Sequence, residues 1–150
     1  MEQYYITGLV DGEGSFSVFF SLKRRLKTGI EVRPSFSVSL NERDIETLKK
    51  IREYFKVGGI RFSKRDRCYK YEVRSIKDLR RTIIPHFIKY PLQTSKQKDF
   101  EAFKKVCEMI SKNLHRSQVY LPTIIELADT MNPSGKRRYK KEKLLKQLSK

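Results

Sequence analysis

"ITGLVDGEGSF", residues 6–16, sets an apolar run against two acids and three glycines, Gly8, Gly12 and Gly14, within seven positions. The stretch reads as the end of a helix over residues 2–12 that stops in glycine. Gly8 and Gly12 are four positions apart and so share one helical face. A helical glycine costs roughly 1 kcal/mol relative to alanine, and a helix stop needs only one. Two glycines on one face predict a helix that another backbone approaches closely. Glu13 then sits at the C-terminal end, where the helix dipole disfavours a carboxylate.

Downstream, the period changes from helical to alternating. In "SFSVFFSL" (15–22), Phe16, Val18, Phe20 and Leu22 share one side; Ser15, Ser17, Phe19 and Ser21 share the other. This is the pattern of a half-buried strand. "RPSFSVSL" (33–40) repeats it, with Phe36, Val38 and Leu40 opposite Arg33, Ser35, Ser37 and Ser39. The basic loop "KRRLKTGIE" joins the two as an antiparallel hairpin. "NERDIETLKKIREYF" (41–55) opens with an Asn cap and brings Ile45, Leu48, Ile51 and Phe55 round at helical spacing, ending at "VGG". "IRFSKRDRCYKYEVR" (60–74) predicts a second hairpin turning near Arg65–Arg67. "SIKD" (75–78) is a capping pattern for a third helix interrupted near Pro85. Helices follow over 94–110 and 121–131, then the basic breaker "NPSGKRRYKK" (132–141) and a short terminal helix. The order is α-β-β-α-β-β-α plus further helices: an α+β fold, one domain over 1–150 with 132–150 as its basic C-terminal segment. One four-stranded antiparallel sheet is expected, with helices on one face and a polar, basic face left open.

Composition narrows the partner. Lys and Arg number 34 against 17 Asp and Glu, a formal net charge of +17. A compact chain with that excess repels itself unless a polyanion shares its surface. Nucleic acid is preferred to an anionic membrane, because the basic residues are spread along the chain and no long apolar segment or signal peptide is seen. Cys68, Cys107, His86 and His115 are isolated, which argues against a zinc site or a Cys-His nucleophile. The compartment is expected to be reducing and intracellular.

"ITGLVDGEG" resembles the signature of the LAGLIDADG homing endonucleases, of the type that carries one motif per chain. "PSFSVSLNERD", "YPLQTSKQKDF" and "MNPSGKRRY" resemble further segments of that family, in the same order. The resemblance implies a homodimer packed through paired motif helices, with Gly8, Gly12, Thr7 and Asp11 at the interface. It implies Glu13 as the metal-binding catalytic acid, where the commonest motif has Asp, and the Gly12 carbonyl as a second ligand. Mg²⁺ is the implied metal, with Mn²⁺ substituting and Ca²⁺ binding without supporting cleavage. Lys96 is the implied basic residue of the pocket, with Lys98 one turn further on. Some relatives line the pocket with a further polar residue at the end of the second strand; in "SLNERD" Leu40 replaces it, and Asn41 or Arg43 is the candidate substitute. The implied reaction is hydrolysis of double-stranded DNA at a long pseudo-palindrome, with cuts across the minor groove and short 3′ overhangs.

The open sheet face supplies the expected DNA contacts. Ser17, Phe19, Ser21, Lys23, Arg33, Ser35, Ser37, Arg61, Ser63, Lys70, Glu72 and Arg74 are placed to meet bases. Phe19 breaks the polar pattern; it contacts a thymine methyl, or it covers a neighbouring subunit or loop. Arg24, Arg25 and Lys27, Arg65 and Arg67, and Lys136, Arg137 and Arg138 suit phosphates. Two alternatives use the same fold: an RNA-binding intron maturase, or a non-cleaving DNA-binding regulator. RNA is a partner only in the first of these.

Overall fold

The computed structural model describes residues 1–132 and 137–150; Lys136 lies outside the described residues. Helix α1 (Gln3–Glu13) leads directly into β1 (Gly14–Leu22), which pairs antiparallel with β2 (Ile30–Asn41). Helix α2 (Ile45–Phe55) follows, then β3 (Gly59–Ser63) and β4 (Cys68–Val73). The four strands form one antiparallel sheet in the order β1-β2-β4-β3, as the alternating runs predict. A helical stretch follows: α3 (Ile76–Asp78), a π-helical segment (Leu79–Ile83) and α4 (Ile84–Lys89). The chain closes with α5 (Lys96–Ser111), α6 (Leu121–Asp129) and α7 (Lys141–Leu148).

The inward residues of the strands meet the helices in an aromatic core. The Phe16 ring lies 5.3 Å from Phe36, Phe87 and Phe103 and 5.4 Å from Phe100, joining β1, β2, α4 and α5. A second cluster, with Ile30, Val32, Val106, Ile124 and Leu144, packs α5, α6 and α7 under the far ends of β1 and β2. Each large ring removed from water contributes roughly 2–3 kcal/mol, so this core fixes the sheet as a rigid platform.

Three local details differ from the sequence reading. The break near Pro85 is a change of helix type: the Ile84 N–H bonds the Leu79 carbonyl, five residues back. That extra residue per turn accommodates a proline that has no N–H to give. Helix α2 ends at Lys56, which itself takes the left-handed conformation at φ 60°, before the glycines are reached. Gly58, at φ +86°, is needed next, where a Cβ would stand 2.7 Å from the Glu72 carbonyl oxygen.

Candidate nucleic-acid interface and catalytic end

Helix α1 presents two different sides. Ile6, Thr7 and Val10 face inward, while Tyr4, Tyr5, Gly8 and Gly12 face out. A Cβ built on Gly8 or Gly12 meets nothing within 4 Å, so among the described residues nothing requires glycine at either position. Gly14 is the opposite case. Its Cβ would lie 2.6 Å from Val10 Cγ1 and 2.9 Å from the Val10 carbonyl oxygen, so glycine permits the abrupt turn from α1 into β1. The three glycines of the motif therefore serve two purposes.

Thr7 does not belong to the outward face. Its hydroxyl donates to the Tyr90 carbonyl at 2.9 Å, so the His86 Nε2–H must donate to Thr7 Oγ at 3.1 Å. His86 Nδ1 then accepts from the Tyr54 hydroxyl at 3.1 Å. Burial holds His86 down to a pKa of about 4, so the imidazole is neutral and this network is intact at pH 7. The motif helix is thereby bolted to α4 and α2 from beneath.

Asp11 is likewise engaged within the chain. It accepts from the Gln93 N–H at 2.8 Å, the Thr94 N–H at 3.1 Å and the Thr94 hydroxyl at 2.7 Å. Partial burial pushes its carboxyl up, but those bonds and the Lys96 charge outweigh it and hold the pKa below the ordinary value. Lys96, in the first turn of α5, donates from Nζ to the carbonyls of Val10 at 2.9 Å and Asp11 at 3.1 Å. Burial lowers its pKa against the pull of Asp11, Asp99 and Glu13. These two carbonyls belong to the last turn of α1, where that of Val10 also accepts the Gly14 N–H, so the ammonium caps the helix end and offsets its dipole. The carbonyls of Gly12 and Glu13 lie beyond them, and the Glu13 side chain is exposed. The structure thus gathers Glu13, Asp11 and Lys96 at one helix end. Asn41 and Arg43 are occupied at the junction of β2 and α2: Asn41 Oδ1 accepts the Arg43 N–H at 3.1 Å, and Arg43 pairs with Asp44 at 3.9 Å. Lys98 is exposed.

On the sheet, the predicted polar side is real but layered. Ser21, Ser35 and Ser37 point to that side yet are buried; charged side chains lie against the first two, and Ser37 pairs across the strands with Ser15 and Glu72. Ser21 Oγ accepts from Arg33 at 3.2 Å, and Ser35 Oγ donates to Glu72 at 2.6 Å. Direct base contact by these three serines is thus corrected: they form the floor beneath the charged layer. Ser17 and Ser63 are half-buried, and Lys23, Arg24, Arg33, Arg61, Arg65 and Arg74 are exposed. Arg25 and Arg33 flank Glu31 at 3.6 and 3.4 Å. Phe19 is exposed opposite Arg33 and borders a cavity of about 370 Å³ between β1 and the C-terminal segment.

Two arginines assigned to phosphates have structural partners instead. Arg67 makes paired bonds to Glu42 at 2.9 and 3.1 Å, tying the β3–β4 turn to the end of β2. Arg137 donates to the Asp129 carbonyl at 2.9 Å and to that of Met131, capping the end of α6. Arg138 is exposed with its guanidinium over the Tyr139 ring at 5.3 Å.

No described helix is long and apolar enough to cross a membrane. Comparison with known proteins agrees with this geometry. A probable intron-encoded endonuclease 2 of Neurospora crassa is 36% identical over 129 residues, covering 85% of this chain and 28% of that protein. The chain therefore spans little more than a quarter of that relative's length. The crystal structure of the homing endonuclease I-TnaI matches with a TM-score of 0.86 at 32% identity, over 99% of this chain and 97% of that one. I-SmaMI, a LAGLIDADG homing endonuclease crystallised bound to cleaved DNA, matches with a TM-score of 0.89 at 31% identity, over 99% of this chain and 48% of that one. The family model for LAGLIDADG endonucleases matches residues 6–107, from the motif helix through the core of α5, and the chain belongs to that family.

Proposed function

We propose that two copies of this chain pair through their α1 faces to form a site-specific endonuclease that hydrolyses one phosphodiester in each strand of a DNA duplex. The observation that carries this reading is the outward face of α1, where Gly8 and Gly12 leave open space along a helix that ends in Glu13. Close approach of a second α1 uses that space, and it sets two Glu13 side chains beside each other. The match to 48% of I-SmaMI supports pairing, since two copies make up that protein's length. A two-fold pair calls for a pseudo-palindromic target.

Each chain would supply Glu13 and the Gly12 carbonyl as hard oxygen ligands. Among the described residues no three ligand-type side chains gather, and Asp11 is already engaged. That suits a cation such as Mg²⁺, which keeps several waters and takes DNA phosphate oxygens for the rest. When bound, the metal supplies an activated water and charge stabilisation for the attacking and leaving oxygens. Glu13 orients that centre. Lys96 holds the end of α1 rigid and keeps a positive charge beside the scissile phosphate. Arg33, Arg61, Lys70 and Arg74 face the bases from the sheet, with Ser17, Phe19 and Ser63 between them. Lys23, Arg24, Arg25, Arg65 and Arg138 meet phosphates at the margins. The cut crosses the minor groove and leaves short 3′ overhangs, and the protein works inside the cell.

The test is a randomised duplex library incubated with protein and Mg²⁺, followed by sequencing of the cut ends, with Glu13→Gln in parallel. A staggered double-strand cut at one long pseudo-palindrome, lost in the variant while binding persists, is expected. Enrichment by binding with no cut in either protein would refute the catalytic reading.

A further inference from the structure

The sheet face carries an acid that a surface built to attract DNA would be expected to omit. Glu72 lies one residue before the end of β4 with its side chain only 11% exposed. Its cross-strand neighbours on that face are Ser37 on β2 and Gly59 on β3. One is small and the other has no side chain, so the carboxylate lies in a trough between strands. The Ser35 hydroxyl donates to Oε2 at 2.6 Å. Around it stand three cations: Arg61 Nη2 at 3.5 Å, Arg74 Nε at 3.9 Å and Lys70 Nζ at 3.9 Å.

A carboxylate that reads cytosine must present a free oxygen to the base amino group. Glu72 is poorly placed to do so, with one oxygen on Ser35 and the group sunk beneath longer chains. The two arginines are the exposed parties, Arg61 at 65% and Arg74 at 60%, while Lys70 is half-buried. Their separations from the carboxylate exceed hydrogen-bond length, so the field of Glu72 gathers them while their N–H donors stay available outward. We infer that Glu72 is a positioning residue for sequence discrimination: it holds Arg61, Lys70 and Arg74 in one fixed array over the sheet and weakens the pull of that array on arbitrary phosphates.

Two physical consequences follow. Fixed guanidinium groups lose less freedom on meeting a matching base pattern, which favours the right sequence. A carboxylate among them reduces the sequence-independent attraction, which is set by the phosphates that cations neutralise. Both raise the ratio of specific to non-specific binding. This inference rests on the reading of the sheet as the DNA-contacting face.

The experiment measures affinity for the selected target and for a scrambled duplex across a salt series, using wild type, Glu72→Gln and Ser35→Ala. Glu72→Gln keeps the shape and the acceptor for Ser35 but removes the charge. Scrambled DNA should bind more tightly, with a salt slope steeper by roughly one to two, the value for one or two added phosphate contacts. The specificity ratio should fall by at least about tenfold, the scale of one mismatched base pair. Ser35→Ala frees the carboxylate without changing charge, so the ratio should fall while the slope stays as in wild type. A thermal melt run alongside separates these effects from unfolding. Changed preference at a single base pair with an unchanged slope would make Glu72 a reader and overturn the inference. So would identical behaviour of all three proteins. Failure of wild type to bind any duplex would overturn the sheet reading itself, a result distinct from both.

Discussion

Protonation of His86 should loosen the motif helix, and the size of the effect follows from its surroundings. The imidazole is 6% exposed and its pKa falls from 6.5 to about 4 through burial. The unfolded chain therefore takes up a proton at a pH where the folded one does not. The sign is that of a depressed histidine: its contribution is fully present above about pH 6.5 and is lost as pH falls from there towards 4. At pH 4.5 the loss is about 2 to 3 kcal/mol, from 1.36 kcal/mol per pKa unit. A proton on Nδ1 also removes the acceptor for Tyr54, and with it the bond that ties α2 to α4, the helix on which α1 rests through Thr7. The assay is urea unfolding followed by circular dichroism at pH 7 and 4.5, at one fixed protein concentration, for wild type and His86→Gln. Glutamine offers a donor and an acceptor but does not titrate. The stability difference between the two proteins should shrink by about 2 to 3 kcal/mol on acidification. A difference that is the same at both pH values would show that His86 does not carry this acid sensitivity, because the carboxylates titrate in both proteins.

Three further outcomes are expected at the outward face and the C-terminal end of α1. Gly8→Leu should leave the single chain folded, and its helix more stable by roughly 0.5–1 kcal/mol, because the space over Gly8 is open; sedimentation velocity should show the pair replaced by monomer. Gly14→Ala should cost roughly 1–3 kcal/mol of unfolding free energy, since its methyl would meet Val10 at 2.6 Å; thermal denaturation reads this directly. Lys96→Met removes the cap on the Val10 and Asp11 carbonyls and should slow cleavage by roughly 100-fold. Gel-shift affinity for the target should change little, and Lys96→Arg should restore part of the rate.

The fold was legible because its signals are local. Alternation in 15–22 and 33–40 fixed both the strands and their buried side, and Phe16 and Phe36 stand in the core for that reason. The glycine face of α1 was legible from a spacing of four. What could not be read depends on partners far along the chain. Thr7 turns inward because of His86, 79 residues away. Lys96 meets carbonyls 85 and 86 residues back. A lone histidine and a first-turn lysine carry no local mark of such roles. The serines of the sheet show a different gap: alternation gives the side of a strand but not the depth beneath neighbouring side chains. Arg67 and Arg137 look like any exposed cation in the sequence, and only the positions of Glu42 and of the end of α6 assign them to the protein's own structure. Lys56 in the left-handed conformation has no signal at all when two glycines follow within three residues.

In the proposed dimer each chain supplies one Glu13 at the end of a shared pair of α1 helices, and each such end serves one strand. The most direct test is a mixed dimer of wild type and Glu13→Gln, purified through two different tags and given the selected target with Mg²⁺. A nick in one strand only is expected, seen as a relaxed circle from a supercoiled plasmid. A full double-strand cut by the mixed dimer would contradict that arrangement, and so would complete loss of strand cleavage in the presence of one intact chain.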